Sequence, residues 1–393
     1  MNDELLVSRR DFLAKSAGVA AAASAAPLLL AHRARAGVPP GQLGLIGADH
    51  VGITVPNIAE AVTWFQDVMG ASAPLTFGPF SGSFLAGLLD VDPAAVINQI
   101  TVLRIGHSAN IELFEYTAPD QKTTHPRNSD YAGHHIAFYV TDIDAAVAYM
   151  ESKGVEKFLG PLPVTGGPAA GQSINYFRTP FGTFIELISY PRGMAYEQAR
   201  HVKPLWSPKE NGLDSEVTTV PGLLGIDHIG ITVPNVVDAA RWFADVLGFA
   251  NPLTFGPFSD SQGTFMQDLL DVDPRAVIDE IRMVGGDRGP NVELFQYEAP
   301  GQDQTFRRNS DYGGKHIAFY VEHIDKAVAY LESKGVEKLD GPLAVTGGPA
   351  AGQSINYFRT PFGTFIELIS YPHGMAYQKT AAVPLWDPRD NRK

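Results

Sequence analysis

Apolar and polar residues in this chain follow two rhythms, period two and then helical spacing, and the pair recurs four times in the same order. Asp49-His50-Val51-Gly52-Ile53-Thr54-Val55 alternates as a half-buried strand does, with His50, Gly52 and Thr54 on one face and Val51, Ile53 and Val55 on the other. Pro56-Asn57 then opens a helix, with Asn57 as N-cap, Glu60 three residues on, and an apolar stripe of Ile58, Val62, Phe65 and Met69. The plan returns with the strand His135-Ile136-Ala137-Phe138-Tyr139-Val140, a cap at Asp142 and a helix stop at Gly154. Strand-like segments follow each helix, ending with Gly182-Thr183-Phe184-Ile185-Glu186-Leu187-Ile188. The predicted unit is strand–helix–three strands.

Two such units make one copy of a longer repeat, covering 44–206 and 222–386, and residues 164–191 recur letter for letter as 345–372. Between the copies, 207–221 is polar and without periodicity, which predicts a linker. Each copy ends in Pro-Leu-Trp (204–206 and 384–386), expected to pack back on its own domain. At the front, Ser8-Arg9-Arg10-Asp11-Phe12-Leu13-Ala14-Lys15 precedes a short Ala-rich apolar run and Ala34-Arg35-Ala36. Residues 1–36 therefore resemble a twin-arginine signal peptide, which implies folded export to the periplasm or the medium of a bacterium.

Composition is that of an ordinary globular chain, 45% hydrophobic and 19% charged. The net charge of -13 argues against nucleic acid, or an anionic membrane once the signal is removed, as a partner. There is no cysteine, so thiolate metal sites, disulfides and cysteine nucleophiles are excluded.

Both copies keep four potential metal donors: His50, Glu112, His135 and Glu186 in the first, His228, Glu293, His316 and Glu367 in the second. Each lies on a predicted strand with apolar flanks. A carboxylate there must be paired, protonated or metal-bound. The simplest grouping is one quartet per copy, although the sequence leaves open whether units pair within a copy or across the two. His134 alternates to the opposite face and is Lys315 in the second copy, and His125 is Phe306, so neither is taken as a ligand.

Four motifs, each present twice and in the same order, carry a resemblance: Asp-His-Val-Gly-Ile-Thr-Val, Ile-Glu-Leu-Phe-Glu-Tyr, Gly-His-His-Ile-Ala-Phe-Tyr-Val and Gly-Thr-Phe-Ile-Glu-Leu-Ile, with their second-copy equivalents. They resemble the vicinal oxygen chelate superfamily of glyoxalases, bleomycin-resistance proteins and extradiol dioxygenases. The resemblance implies an α+β fold of four βαβββ modules in two curled-sheet domains, 44–206 and 222–390. It also implies one divalent metal per domain, and two imidazoles with two carboxylates suit Ni, Co, Mn, Fe(II) or Zn. The implied activity is that of a lyase or isomerase moving a proton beside a metal-chelated carbonyl of a small molecule, with Glu186 or Glu112, and Glu367 or Glu293, as the base. The alternatives are an Fe(II) ring-cleaving dioxygenase and a non-catalytic binding protein. Arg178, Arg359, Tyr139, Tyr320, Asn175 and Asn356 are candidate substrate contacts, and a homo-oligomer is compatible with the pattern.

Overall fold

The computed structural model describes residues 43–212, 218–260 and 262–390. The twin-arginine segment and the middle of the 207–221 linker lie outside the described residues. The first module holds β1 (Leu45–Thr54), α1 (Ile58–Met69), β2 (Ser72–Phe77), β3 (Phe80–Ser81), α2 (Ser83–Leu89), β4 (Val96–Arg104) and β5 (Asn110–Thr117). The second holds β6 (His134–Val140), α3 (Ile143–Ser152), β7 (Glu156–Lys157), β8 (Leu162–Pro163), β9 (Ser173–Arg178) and β10 (Phe184–Ser189). In the third are β11 (Leu223–Thr232), α4 (Val236–Trp242), β12 (Ala250–Phe255), β13 (Phe258–Ser259), α5 (Phe265–Leu270), β14 (Val277–Gly285) and β15 (Asn291–Glu298). The fourth comprises β16 (Lys315–Val321), α6 (Ile324–Ser333), β17 (Glu337–Lys338), β18 (Leu343–Ala344), β19 (Ser354–Arg359) and β20 (Phe365–Ser370).

The helices start and stop where local chemistry directs. Asn57 Oδ1 accepts from the Glu60 amide at 3.1 Å, and Gly70, at φ +71°, closes α1 in the left-handed conformation. Asp142 caps α3 in the same way through Ala145. Ile58, Ala61, Phe65, Val68 and Met69 form the buried face of α1, so Val62 lies at its margin rather than in the stripe.

Modules pair across the copies. One ten-stranded sheet runs β17-β19-β20-β16-β1-β5-β4-β2, joining the fourth module to the first; the other runs β12-β14-β15-β11-β6-β10-β9-β7, joining the third to the second. The two seams are antiparallel, β1 with β16 and β11 with β6. Val51, Ile53, Ile136, Ile229, Ile231 and Ile317 project from both seams into one shared core that also takes the helices. The opposite, concave faces carry His50, His135, His228 and His316. The Pro-Leu-Trp tails pack on their own copy, where the Leu205 and Leu385 amides donate to the Tyr196 and Tyr377 hydroxyls at 3.0 and 3.2 Å, and they also reach the other copy. Asn291 Nδ2 donates to the Trp206 carbonyl at 2.9 Å, and Asn110 Nδ2 to that of Trp386 at 2.9 Å.

Near the sheet seams lies a buried basic pair. Lys315 Nζ donates to the Ala132 carbonyl at 3.0 Å, and burial, with the Arg307 charge, pushes its pKa down to about 7. Burial and the Lys315 charge hold His134 at about 3. An unfolded lysine titrates near 10.4, so between pH 7 and 10 the unfolded chain binds the extra proton and stability rises with pH. Lys315→Met should remove that slope and raise stability at pH 7 by about 1–3 kcal/mol. Denaturant melts at pH 7 and 9.5 check this; an equal pH slope in both proteins would contradict it.

Candidate metal centres

The eight predicted donors converge in two quartets, each built from both copies. His50, Glu112, His316 and Glu367 form one; His135, Glu186, His228 and Glu293 form the other. This corrects the grouping of one quartet per copy. In each quartet the donor atoms lie within 4.8 Å of one another, and all eight residues are buried. Because modules trade partners, β1 and β5 bring half of the first quartet, and β16 and β20 bring the rest.

The Asp-His-x-Gly motif in the middle of β1 explains how the imidazoles meet. Strict alternation would point Asp49 away from His50. A bulge lies there instead, between the pairs Ala48–Phe319 and His50–Ala318, and it turns Asp49 toward the site. Asp49 Oδ1 then receives the His50 Nδ1 hydrogen at 2.8 Å, which leaves the Nε2 lone pair facing the cluster. Gly52 sits opposite His316 in the strand pairing, and a Cβ there would fall 1.8 Å from His316 Cε1. Only glycine lets the partner ring lie across the strand. Asp227 and Gly230 repeat the arrangement, with 2.9 Å from Asp227 to His228 Nδ1 and 1.9 Å from a Gly230 Cβ to His135 Cε1.

In the first quartet, His50 Nε2 lies 3.3 Å from His316 Nε2 and 3.2 Å from both Glu112 Oε2 and Glu367 Oε2. His316 Nε2 lies 3.3 and 3.2 Å from the same two oxygens. In the second, the corresponding separations run from 3.2 to 3.4 Å. Ligands about 2.0–2.2 Å from one ion stand roughly 3–3.5 Å apart, so the donors fit a single cation. Glu186 Oε2 and Glu293 Oε2 face the imidazole nitrogens of their own quartet at 3.2–3.4 Å, the separation of ligands that share one ion.

Electrostatics say the same. Burial alone would lower the His50 pKa, but the Glu112 and Glu367 charges hold it well above an ordinary imidazole. Burial would likewise raise Glu367 and Glu186, yet the paired imidazoles bring both down to about 2. Without a cation, the quartet balances its two carboxylates only by holding protons on its histidines.

Comparison with known proteins agrees with this geometry. The profile of the Glyoxalase/Bleomycin resistance protein/Dioxygenase superfamily matches twice, over residues 49–176 and 227–357. The chain belongs to that superfamily. It is 42% identical over 173 residues to a 2-epi-5-epi-valiolone epimerase from an Actinomyces species, spanning 44% of this chain and 93% of the relative. An uncharacterized protein of Escherichia coli K12, YaeR, is 26% identical over 147 residues, 37% of this chain and 96% of the relative. Among solved structures, a variant of glyoxalase I from Zea mays covers 85% of this chain and 96% of its own at 14% identity, TM-score 0.50. A Bacillus subtilis protein provisionally assigned as a dioxygenase covers 87% and 91% at 16% identity, TM-score 0.51. These structural likenesses show the fold. The epimerase likeness and the superfamily match together make the chain an enzyme, of the isomerase type or a related one.

Around this superfamily's metal position, several residues act differently from expectation. Arg178 pairs with Glu156 (2.7 Å) and Asp271 (2.8 Å), and Arg359 pairs with Asp90. Both guanidiniums are spent on carboxylates outside the cavities, which corrects their expected role in holding substrate. Asn175 and Asn356 are fully buried and donate to the Tyr176 and Tyr357 carbonyls, bracing β9 and β19. Tyr139 and Tyr320 pack edge-on against Tyr190 and Tyr371, whose hydroxyls bond Asp227 and Asp49. They support the groups that hold the histidines and do not reach the cavities. Tyr176 and Tyr357, by contrast, set their rings edge-on to His135 and His316 at 5.2 and 5.0 Å. The sequence signal that could have found Asp49 and Asp227 was an aspartate immediately before the first strand histidine of each copy.

Two outcomes follow for metal binding. Gly52→Ala should cost the first quartet its ion and lower the metal content from two per chain to one, by elemental analysis; Asp49→Asn, which spares the ring's room but loses its anchor, should weaken that site about 10–100-fold. Because loading displaces protons from histidines whose pKa is raised, affinity should climb with pH through neutrality and protons should be released on binding. Calorimetry in buffers of different ionisation enthalpy would expose a pH-independent affinity, which would contradict the electrostatics.

Proposed function

We propose that the chain is an exported, divalent-metal-dependent isomerase of epimerase type, moving a proton at the carbon beside a carbonyl of a small neutral molecule with adjacent oxygens. The observation that carries this reading is that two carboxylates from opposite modules, Glu112 on β5 and Glu367 on β20, reach one point on the wall of a cavity of about 650 Å³. Glu293 and Glu186 stand in the same relation in the second quartet. The likeness to an epimerase supports the reaction type, and that relative's name suggests a polyhydroxylated cyclic ketone as the kind of substrate to test first.

A bound Ni, Co, Mn, Fe(II) or Zn ion would polarise the carbonyl and offset the negative charge that develops on its oxygen. The remaining work falls to the chain. One carboxylate, ionised at neutral pH, takes the proton as the C–H bond breaks. For inversion the carboxyl group of the opposing module must enter the turnover protonated: it gives that proton to the other face as the new C–H bond forms and ends ionised, and the two groups exchange protons with water before the next turnover. Apolar walls, among them Leu88, Ile97, Ile100 and Phe114, keep bulk water from the reacting carbon. Among the described residues lining this cavity there is no lysine or arginine, which favours a neutral substrate over a phosphorylated or carboxylated one.

A ring-cleaving dioxygenase would work with two imidazoles and one carboxylate and an open place for oxygen. The convergence of Glu112 and Glu293 as fourth donors weighs against it. Complete donor sets in both quartets weigh against a purely binding role. Export rests on the sequence of residues 1–36; N-terminal sequencing of the protein recovered outside the cytoplasm tests it, and an intact Met1 there would count against cleavage.

Incubating the metal-loaded enzyme in D₂O with cyclic polyhydroxy ketones should introduce deuterium at the carbon next to the carbonyl, without oxygen uptake. Glu112→Gln or Glu367→Gln should slow exchange at the first quartet by about 10²–10⁴-fold. Oxygen consumption with catechols would overturn the isomerase reading.

A further inference from the structure

The two quartets are chemically matched, but the spaces in front of them are not. The cavity facing His50 and Glu367 measures about 650 Å³, whereas the one facing His228 and Glu186 measures about 60 Å³. The first suits a small-molecule ligand, and the second has room for only a few waters.

The cause can be located because half of each wall is the same. Residues 164–191 and 345–372 are identical, so the residue differences between the two cavity walls lie chiefly in the first and third modules, and the shared loop packs to match: Gly166 is buried where Gly347 is exposed. In the third module Leu85 is replaced by Met266 and Val102 by Met283, both fully or nearly buried and lining the small cavity. Phe80 and Phe84 are 38% and 47% exposed, while their counterparts Phe258 and Phe265 are 5% and 4% exposed. The third module carries a three-residue insertion between these two rings. Asp260 is buried and its carboxylate accepts from the Phe265 and Gln262 amides, both at 3.3 Å, which ties the longer loop over the site.

We propose that the two metal centres divide labour: substrate binds only at the quartet shared by the first and fourth modules, and the quartet shared by the second and third is a closed metal clamp. This rests on the metal-dependent reading above and adds which site accepts substrate and which residues exclude it from the other. Phe258, Phe265, Met266 and Met283 fill the volume that substrate would occupy. The clamp's ion joins β6 and β10 to β11 and β15 and serves stability rather than turnover.

Benzohydroxamate, which presents two adjacent oxygens and is too large for the closed space, is the probe. Titrated calorimetrically into the full chain loaded with two cobalt(II) ions, it should bind once per chain and shift the visible cobalt spectrum by the contribution of one ion. Gly52→Ala should abolish this binding and Gly230→Ala should leave it intact. Phe258→Ala/Phe265→Ala/Met266→Ala, with two ions retained, should bind a second equivalent. Two equivalents in the unaltered protein, none, or one that disappears with Gly230→Ala would each overturn the division of labour, as would failure of the second quartet to hold cobalt. One equivalent at the first quartet without deuterium exchange of any ketone would instead sink the isomerase reading and leave the access difference standing.

Discussion

Everything in this molecule depends on the antiparallel seams between β1 and β16 and between β11 and β6. Four buried donors meet at each seam, and none of the modules supplies more than two of them. Two carboxylates and two imidazoles out of water would be costly to hold together without a cation. The backbone nevertheless commits to that convergence. A bulge re-aims Asp49, a glycine clears space for His316, and Tyr371 secures the aspartate from behind. The same set recurs at the other seam. A fold that gives up strand regularity and side-chain volume at matching points is organised around the ions it would bind.

Much of this could be read from the sequence. The period-two strands, the caps at Asn57 and Asp142, and all eight donors are local properties, fixed by residue type and spacing. The partnering of modules is not local. The strand His135-Ile136-Ala137-Phe138-Tyr139-Val140 has the same letters as His316-Ile317-Ala318-Phe319-Tyr320-Val321, so no hydrophobic pattern tells β1 which of them to pair with. Asp49 was hidden for a related reason: alternation assigns it to the wrong face, and only the bulge restores it. Arg178 and Arg359 misled because a guanidinium suits a substrate anion and a structural carboxylate equally well, and Asp271 and Asp90 lie far off in sequence.

The contrast between the cavities shows how little change separates an open site from a filled one. The donors are retained on both sides, and one wall is identical. Two larger side chains and a slightly longer loop accompany the aromatic rings that turn inward. Packing decides access here, while the coordination chemistry is held constant.

The crossed pairing also bears on ancestry. A single 44–206 unit, arranged as it is here, would carry two half-sites and no whole one. Such a unit could function only by associating with a twin about a two-fold axis, each lending the other the missing pair of donors. In the tandem chain the stretch 207–221 makes that association covalent, so that the two halves cannot drift apart on dilution. It also frees them to diverge, which two products of one gene in a symmetric pair could not do.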